Sequence, residues 1–147
     1  MDAQDQNFGY LEWKSPEEMH TSCMNWLSEI NFMEDEHIFL EDMIKEYTLP
    51  VLEAHLYEKA KNLITELALL DRKRADLKNR LINHRNELQI MVDNIDQLEE
   101  ESEYKEEHRA LKYELGHFNQ KYRNLKQEIF LTVSIALKDQ KQKRLLK

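Results

Sequence analysis

Apolar residues recur near the start of this chain at alternating intervals of four and three: Met19, Cys23, Trp26, Ile30, Met33, His37, Leu40, Ile44 and Tyr47. That spacing lines them along one side of a helix as a heptad seam. Leu27, Phe32, Phe39 and Met43 widen the stripe, as expected of a helix with two neighbours. Ser15-Pro16-Glu17-Glu18 is a start signal, with a serine cap, proline at the first helical position and glutamate three residues after the cap. Pro50 is the stop, so the pattern predicts a helix over 16–47. A second seam runs through Leu56, Ala60, Leu63, Leu67, Leu70, Arg74, Leu77, Leu81, His84, Leu88, Met91, Ile95 and Leu98, predicting a helix over 50–99, roughly 75 Å long. A third runs through Tyr104, His108, Leu111, Leu115, Phe118, Tyr122, Leu125 and Ile129, predicting a helix over 103–146.

The second and third seams are out of phase. A continuous heptad would put Ser102, Lys105 and Arg109 in the core, so Glu99-Glu100-Glu101-Ser102-Glu103 reads as a turn with Ser102 as its candidate cap. The rival reading is one continuous helix with a local phase slip, which would require a dimer. The expected fold is all-α, an elongated antiparallel three-helix coiled coil or bundle. Residues 1–14 form an irregular arm, and 15–147 a single helical coiled-coil domain. Reversals near Pro50 and Ser102 place His37 near residues 60 and 142. The shorter first helix then covers only part of the second, leaving residues 83–120 as a projecting two-helix hairpin arm. Gly116, within the third helix, marks a kink or a close helix approach.

Composition narrows the function classes. The 147 residues include two Gly and two Pro, with 34% charged side chains, which suits long helices and excludes the loop-built sites of most enzymes. No Gly-rich phosphate loop, Cys/His zinc spacing or strand-borne nucleophile occurs, so neither catalysis nor a cofactor is expected. The acidic N-terminus lacks a secretory pattern, and no apolar run reaches transmembrane length. The lone Cys23 suits a reducing compartment, and the chain is expected to be cytoplasmic.

The net charge of −8 is unevenly spread: residues 1–58 carry 14 acidic and two basic side chains, and 59–147 carry 15 acidic and 19 basic. One part of the chain is therefore suited to dock on the other. Glu34, Asp35, Glu36, Glu41 and Asp42 form the densest acidic cluster, and the expected register sets them against Lys59, Lys61, Lys141, Lys143 and Arg144. The basic tail could instead bind a polyanion, but aromatic residues for base stacking are not interleaved with it. Glu34/His37 and Glu114/His117 share the Glu-x-x-His spacing of di-metal bundles, which makes a metal- or ligand-binding bundle the competing class. The expected register holds these pairs about 40 Å apart along the helix, so they cannot share an ion.

The leading expectation is a non-enzymatic coiled-coil interaction protein, an adaptor, spacer or assembly factor. Its contact residues would be the arm seam (Leu88, Met91, Ile95, Leu111, Leu115, Phe118) and the apolar run near the C-terminus (Ile129, Val133, Leu137). A half-covered hairpin stripe would also suit a second copy of the chain. His84 and His108, at seam positions, would loosen the arm in mild acid.

Overall fold

The computed structural model describes residues 15–93 and 98–146, with side chains for 15–91 and 101–146. The expected arm over 1–14 lies outside the described residues. Every element among those described is a helix: α1 (Pro16–Glu46), α2 (Thr48–Glu53), α3 (Tyr57–Asp93) and α4 (Leu98–Leu145). The chain is an all-α bundle.

Ser15 caps α1 as its sequence implies. Its hydroxyl accepts the Glu18 backbone N–H at 3.2 Å, and its carbonyl accepts that of Met19 at 3.0 Å. At the other end α1 stops at Glu46, four residues short of Pro50. A proline ring excludes the carbonyl four positions before it from the helical turn and offers it no N–H. The break therefore falls at Tyr47, and the Thr48 hydroxyl donates to the freed Lys45 carbonyl at 2.7 Å. Pro50 itself lies in the first turn of α2, where backbone N–H groups have no intrahelical acceptor.

α2 ends in a Schellman motif. The His55 N–H donates to the Leu52 carbonyl at 3.1 Å and the Leu56 N–H to that of Val51 at 2.9 Å. His55 takes the left-handed conformation, φ 61°, a position that favours glycine.

The connection from Tyr47 to Leu56 is thus longer than a reversal at Pro50 and shifts the register. With a tight turn, Met19 would lie level with residue 78 and Glu34 with residue 63; they meet Leu88 and Arg74 instead. The last helix also starts earlier than expected: α4 begins at Leu98 and runs through Ser102, which is therefore not a cap, and residues 94–97 lie outside the described residues. Glu99, Glu100 and Glu101 occupy the first turn of α4, where the helix dipole favours negative charge. A run that resembles a turn by its phase is helical by its charge.

Among the described residues two compact units result, one joining 15–31 with 75–93 and 98–116, the other joining 32–74 with 117–146. In the first, Met19, Leu88 and Tyr104 form a buried cluster, and the Cys23 thiol points at the Leu81 carbonyl, 3.9 Å away. The N-terminal half of α1 therefore covers the stretch expected to stand as a bare hairpin arm. That expectation fails because α3 starts at Tyr57 rather than residue 50, which carries its far end back under α1. In the second unit, Leu40, Ile44, Val51, Leu63, Leu67, Tyr122, Leu125 and Ile129 share one core.

Gly116 neither kinks α4, which runs unbroken from Leu98 to Leu145, nor admits a close neighbour, since a Cβ there would meet nothing within 4 Å. Its exposure on the outer face leaves no packing reason for it.

His55→Gly should stabilise the chain, because glycine takes the left-handed position without the Cβ penalty of histidine. The expected gain is about 0.5–1 kcal/mol, read as a higher denaturant midpoint at unchanged slope. A lower midpoint would mean that the His55 side chain contributes more than its backbone strain costs.

Candidate functional site

Six of the expected contact residues line the interior. Leu88, Leu111, Leu115, Phe118, Ile129 and Val133 are buried, and Met91 is half-buried against the Met19 cluster. Leu137 sits at the edge of exposure, and Ile95 lies outside the described residues. The heptad spacing identified core positions, and the docking of α1 makes that core intramolecular.

The acidic segment does bind basic partners, but the described pairs are not the expected ones. Glu34 pairs with Arg74 at 3.7 Å, and Glu36 with Lys126 at 3.0 Å. Glu41 pairs with Lys45 at 2.9 Å on its own helix, while Asp35 and Asp42 are exposed. Of the bases expected to meet this cluster, Lys59 pairs with Glu128 at 3.1 Å. Lys143 pairs with Asp139 at 2.9 Å and donates to the Glu53 carbonyl at 2.7 Å. Lys61, Lys141 and Arg144 are exposed. The longer connection is again the cause, since it slides Lys59 and Lys61 past the acidic run and brings Arg74 to it. Arg74 is buried and also holds Asp71 at 2.8 Å. A charge in that position is tolerable only with such carboxylates beside it.

The Glu-x-x-His pairs do not converge. His37 faces Glu41 at 3.4 Å, Glu34 turns to Arg74, Glu114 pairs with Arg80, and His117 is exposed. Among the described residues, no group of three or more His, Cys, Asp or Glu is placed to hold a metal ion. The basic stretch 72–85 is likewise divided, with Arg74 inside and Arg80 bonded to Glu114 and to Glu107, the latter at 3.0 Å.

The most unusual interior lies in the unit that joins the N-terminal half of α1 to the facing stretches of α3 and α4. His84 and His108 are 2% and 3% exposed, and their rings share a hydrogen bond of 3.0 Å between Nε2 of His84 and Nδ1 of His108. Tyr104 stacks flat on His84 with centroids 3.9 Å apart, and Trp26 of α1 lies 4.7 Å from the His108 ring. The Tyr104 hydroxyl and His84 Nδ1 are buried without a hydrogen-bond partner among the described residues. Burial, foremost, holds the His84 pKa down to about 4; Glu107 pulls it upward and Arg80 adds to the depression. Burial pushes the Cys23 thiol up to about 11, against the pull of Arg85. That leaves it protonated and a poor nucleophile. His84 and Cys23 therefore sit uncharged within a stacked polar core.

The other unit exposes aromatic rings on its outer face. Phe32, Phe39 and Phe130 are 65%, 58% and 43% exposed. Phe32 and Phe39 flank Glu36 at helical spacings of four and three, and Phe130 lies one turn beyond Lys126, so the Glu36–Lys126 bridge is rimmed by phenyl rings. Periodicity had marked Phe32 and Phe39 only as a widened stripe. Their place opposite the core follows from the seam, but the companion Phe130 needed the α1–α4 register. Leu69, Leu131 and Ile135 add further exposed apolar surface. Among the described residues, no helix is long and apolar enough to cross a membrane.

Comparisons with protein-family models, curated proteins and solved structures find no match to this chain. A role therefore has to be read from the chain's own surface and buried cluster.

The histidine core makes stability pH-dependent. The folded pKa of His84 lies below its unfolded value near 6.5, so its contribution is intact above about pH 6.5 and is lost as pH falls toward 4. The loss should reach on the order of 3 kcal/mol. Denaturant midpoints at pH 7 and pH 5 should differ markedly in the wild type and much less in His84→Gln. Equal differences in the two proteins would assign the acid sensitivity to other groups.

Proposed function

We propose that this chain is a non-enzymatic helical interaction protein, an adaptor or assembly factor that works in the aqueous, reducing interior of the cell. The observation that carries this reading is the exposed aromatic face formed by Phe32, Phe39 and Phe130 around the Glu36–Lys126 bridge. Core formation does not require these rings, because the seam residues already fill the interior. Solvent contact with large apolar side chains is unfavourable by about 25 cal/mol per Å² of apolar surface, and contiguous patches of this kind mark contact sites. Aromatic residues are also the side chains enriched at the energetic centres of protein interfaces.

The polar elements fit a scaffold. The buried Arg74 with its carboxylates and the paired imidazoles fix which residues meet, and they leave the outer faces to recognition. Cys23, protonated and covered, and His37, engaged with Glu41, are not arranged for acid–base or nucleophilic chemistry.

The double variant Phe39→Asp/Phe130→Asp should keep the wild-type helix content and melting temperature, since both positions are exposed. Used as bait under crosslinking, it should lose at least about tenfold of the proteins that the wild type enriches, a loss on the order of 1.4 kcal/mol in binding. Equal recovery by the two baits would overturn the aromatic face as the contact site.

A further inference from the structure

A second exposed feature of the unit formed by 32–74 and 117–146 is a groove between α3 and α4, with a cavity of about 430 Å³. Glu66, Leu69 and Leu70 line it from α3, and Lys121, Leu125 and Glu128 line it from α4. Leu69 is 57% exposed, so the floor of the groove is apolar and open to water.

The charges around that floor follow a rule. On α3 the lining residues Glu66, Leu69 and Leu70 continue by helical spacing to Lys73, one turn beyond the groove, giving steps of three, one and three. On α4 the same steps give Lys121, Asn124, Leu125, Glu128. Each stripe has an acid at one end, a base at the other and an uncharged centre. Reversing the direction of either stripe converts it into its own electrostatic complement. None of Glu66, Lys73 and Lys121 has an ion-pair partner among the described residues, while Glu128 is held by Lys59 at 3.1 Å.

We propose that this groove docks onto the same groove of a second copy of the chain, about a two-fold axis that lies across the helices. This proposal rests on the interaction reading only in assigning contacts to the outer faces, and it uses a surface separate from the aromatic one. In such an isologous contact each stripe meets its own copy antiparallel. Lys121 then faces Glu128 of the partner subunit, and Glu66 faces Lys73 of the partner subunit. The leucines of the two floors cover one another, removing Leu69 from water.

The charges also exclude the alternative two-fold, the one that runs along the helices. α3 and α4 are antiparallel, so Glu66 lies level with Glu128 and Lys73 with Lys121. An axis along the helices would lay α3 on the partner's α4, setting lysine against lysine and glutamate against glutamate. Like charges across an interface oppose that arrangement.

Light scattering on the purified chain, over a concentration series at low salt, tests the proposal. The wild type is expected to rise to twice the monomer mass by about 100 μM, within the range of modest interfaces. Lys121→Glu should weaken the dimer at least about tenfold by setting like charges together, and so should Glu128→Lys. The swap Lys121→Glu/Glu128→Lys should restore the dimer. Circular dichroism of each variant should match the wild type, because both positions are exposed.

A wild-type chain that stays monomeric overturns the proposal. So does a Lys121→Glu variant that dimerises as well as or better than the wild type, the result expected of the other axis. Phe39→Asp/Phe130→Asp should dimerise like the wild type. Loss of the dimer in that variant would move self-association to the aromatic face, whereas loss of enriched partners alone concerns only the interaction reading.

Discussion

The ring of Pro50 and the carbonyl of Glu46 cannot share a regular helical turn, and much of the rest depends on how the chain resolves that conflict. It breaks α1 at Tyr47, inserts the six residues of α2 and turns through a left-handed His55 before α3 begins. The length of that connection decides which residue of α1 meets which of α3. It brings Arg74 to Glu34 and Met19 to Leu88, and so extends the cover of α1 over a stretch that a tighter turn would have left bare. Removing one residue from the connection would rotate α3 by about 100° against its partners. Arg74 and His84, buried in helix interiors, would oppose that slip, since each needs its particular neighbours.

Closing the seam in this way changes where function can reside. The residues with the strongest periodic signal are spent on the interior, and those outside the signal are the ones left to act. Phe32 and Phe39 fall off the α1 seam, Leu69 off the α3 seam and Phe130 off the α4 seam; all four remain exposed. Helices held in register by their cores can present such residues in fixed groups, rings around an ion pair on one side and leucines between charged stripes on another.

The seams were largely legible, although Trp26 and Leu70 are only half-buried and Leu27, off the seam, is in the core. Met19, Cys23, Ile30, Leu40 and Ile44 on α1, the run from Leu63 to Leu88 on α3, and Tyr104 to Ile129 on α4 supply most of the buried positions, because a heptad repeat is a direct image of one helix face. The Ser15 cap was equally plain. Register was not, because it depends on the conformation of residues 48–55, which belong to neither seam. Nothing before the fold announces that His55 would adopt a positive φ in place of glycine. The Glu99–Glu103 run illustrates a second limit: its phase suggests a turn, while its carboxylates suit a helix N-terminus, and the choice rests on where α3 ends. The candidate site inherited both errors. The acidic residues of 34–42 were identified, but their partners were displaced along α3 and α4 with the register, and Phe32 and Phe39 counted only as a widening of the stripe because they break the pattern.

Cys23 offers the most direct measurement of whether α1 closes over α3 and α4. Its thiol is fully covered, points at the Leu81 carbonyl and is held protonated by burial. Reaction of the native protein with a small disulfide reagent should be slow, with a rate that rises with denaturant along the global unfolding transition. Labelling in plain buffer as fast as in the unfolded chain would show that the N-terminal half of α1 does not dock there.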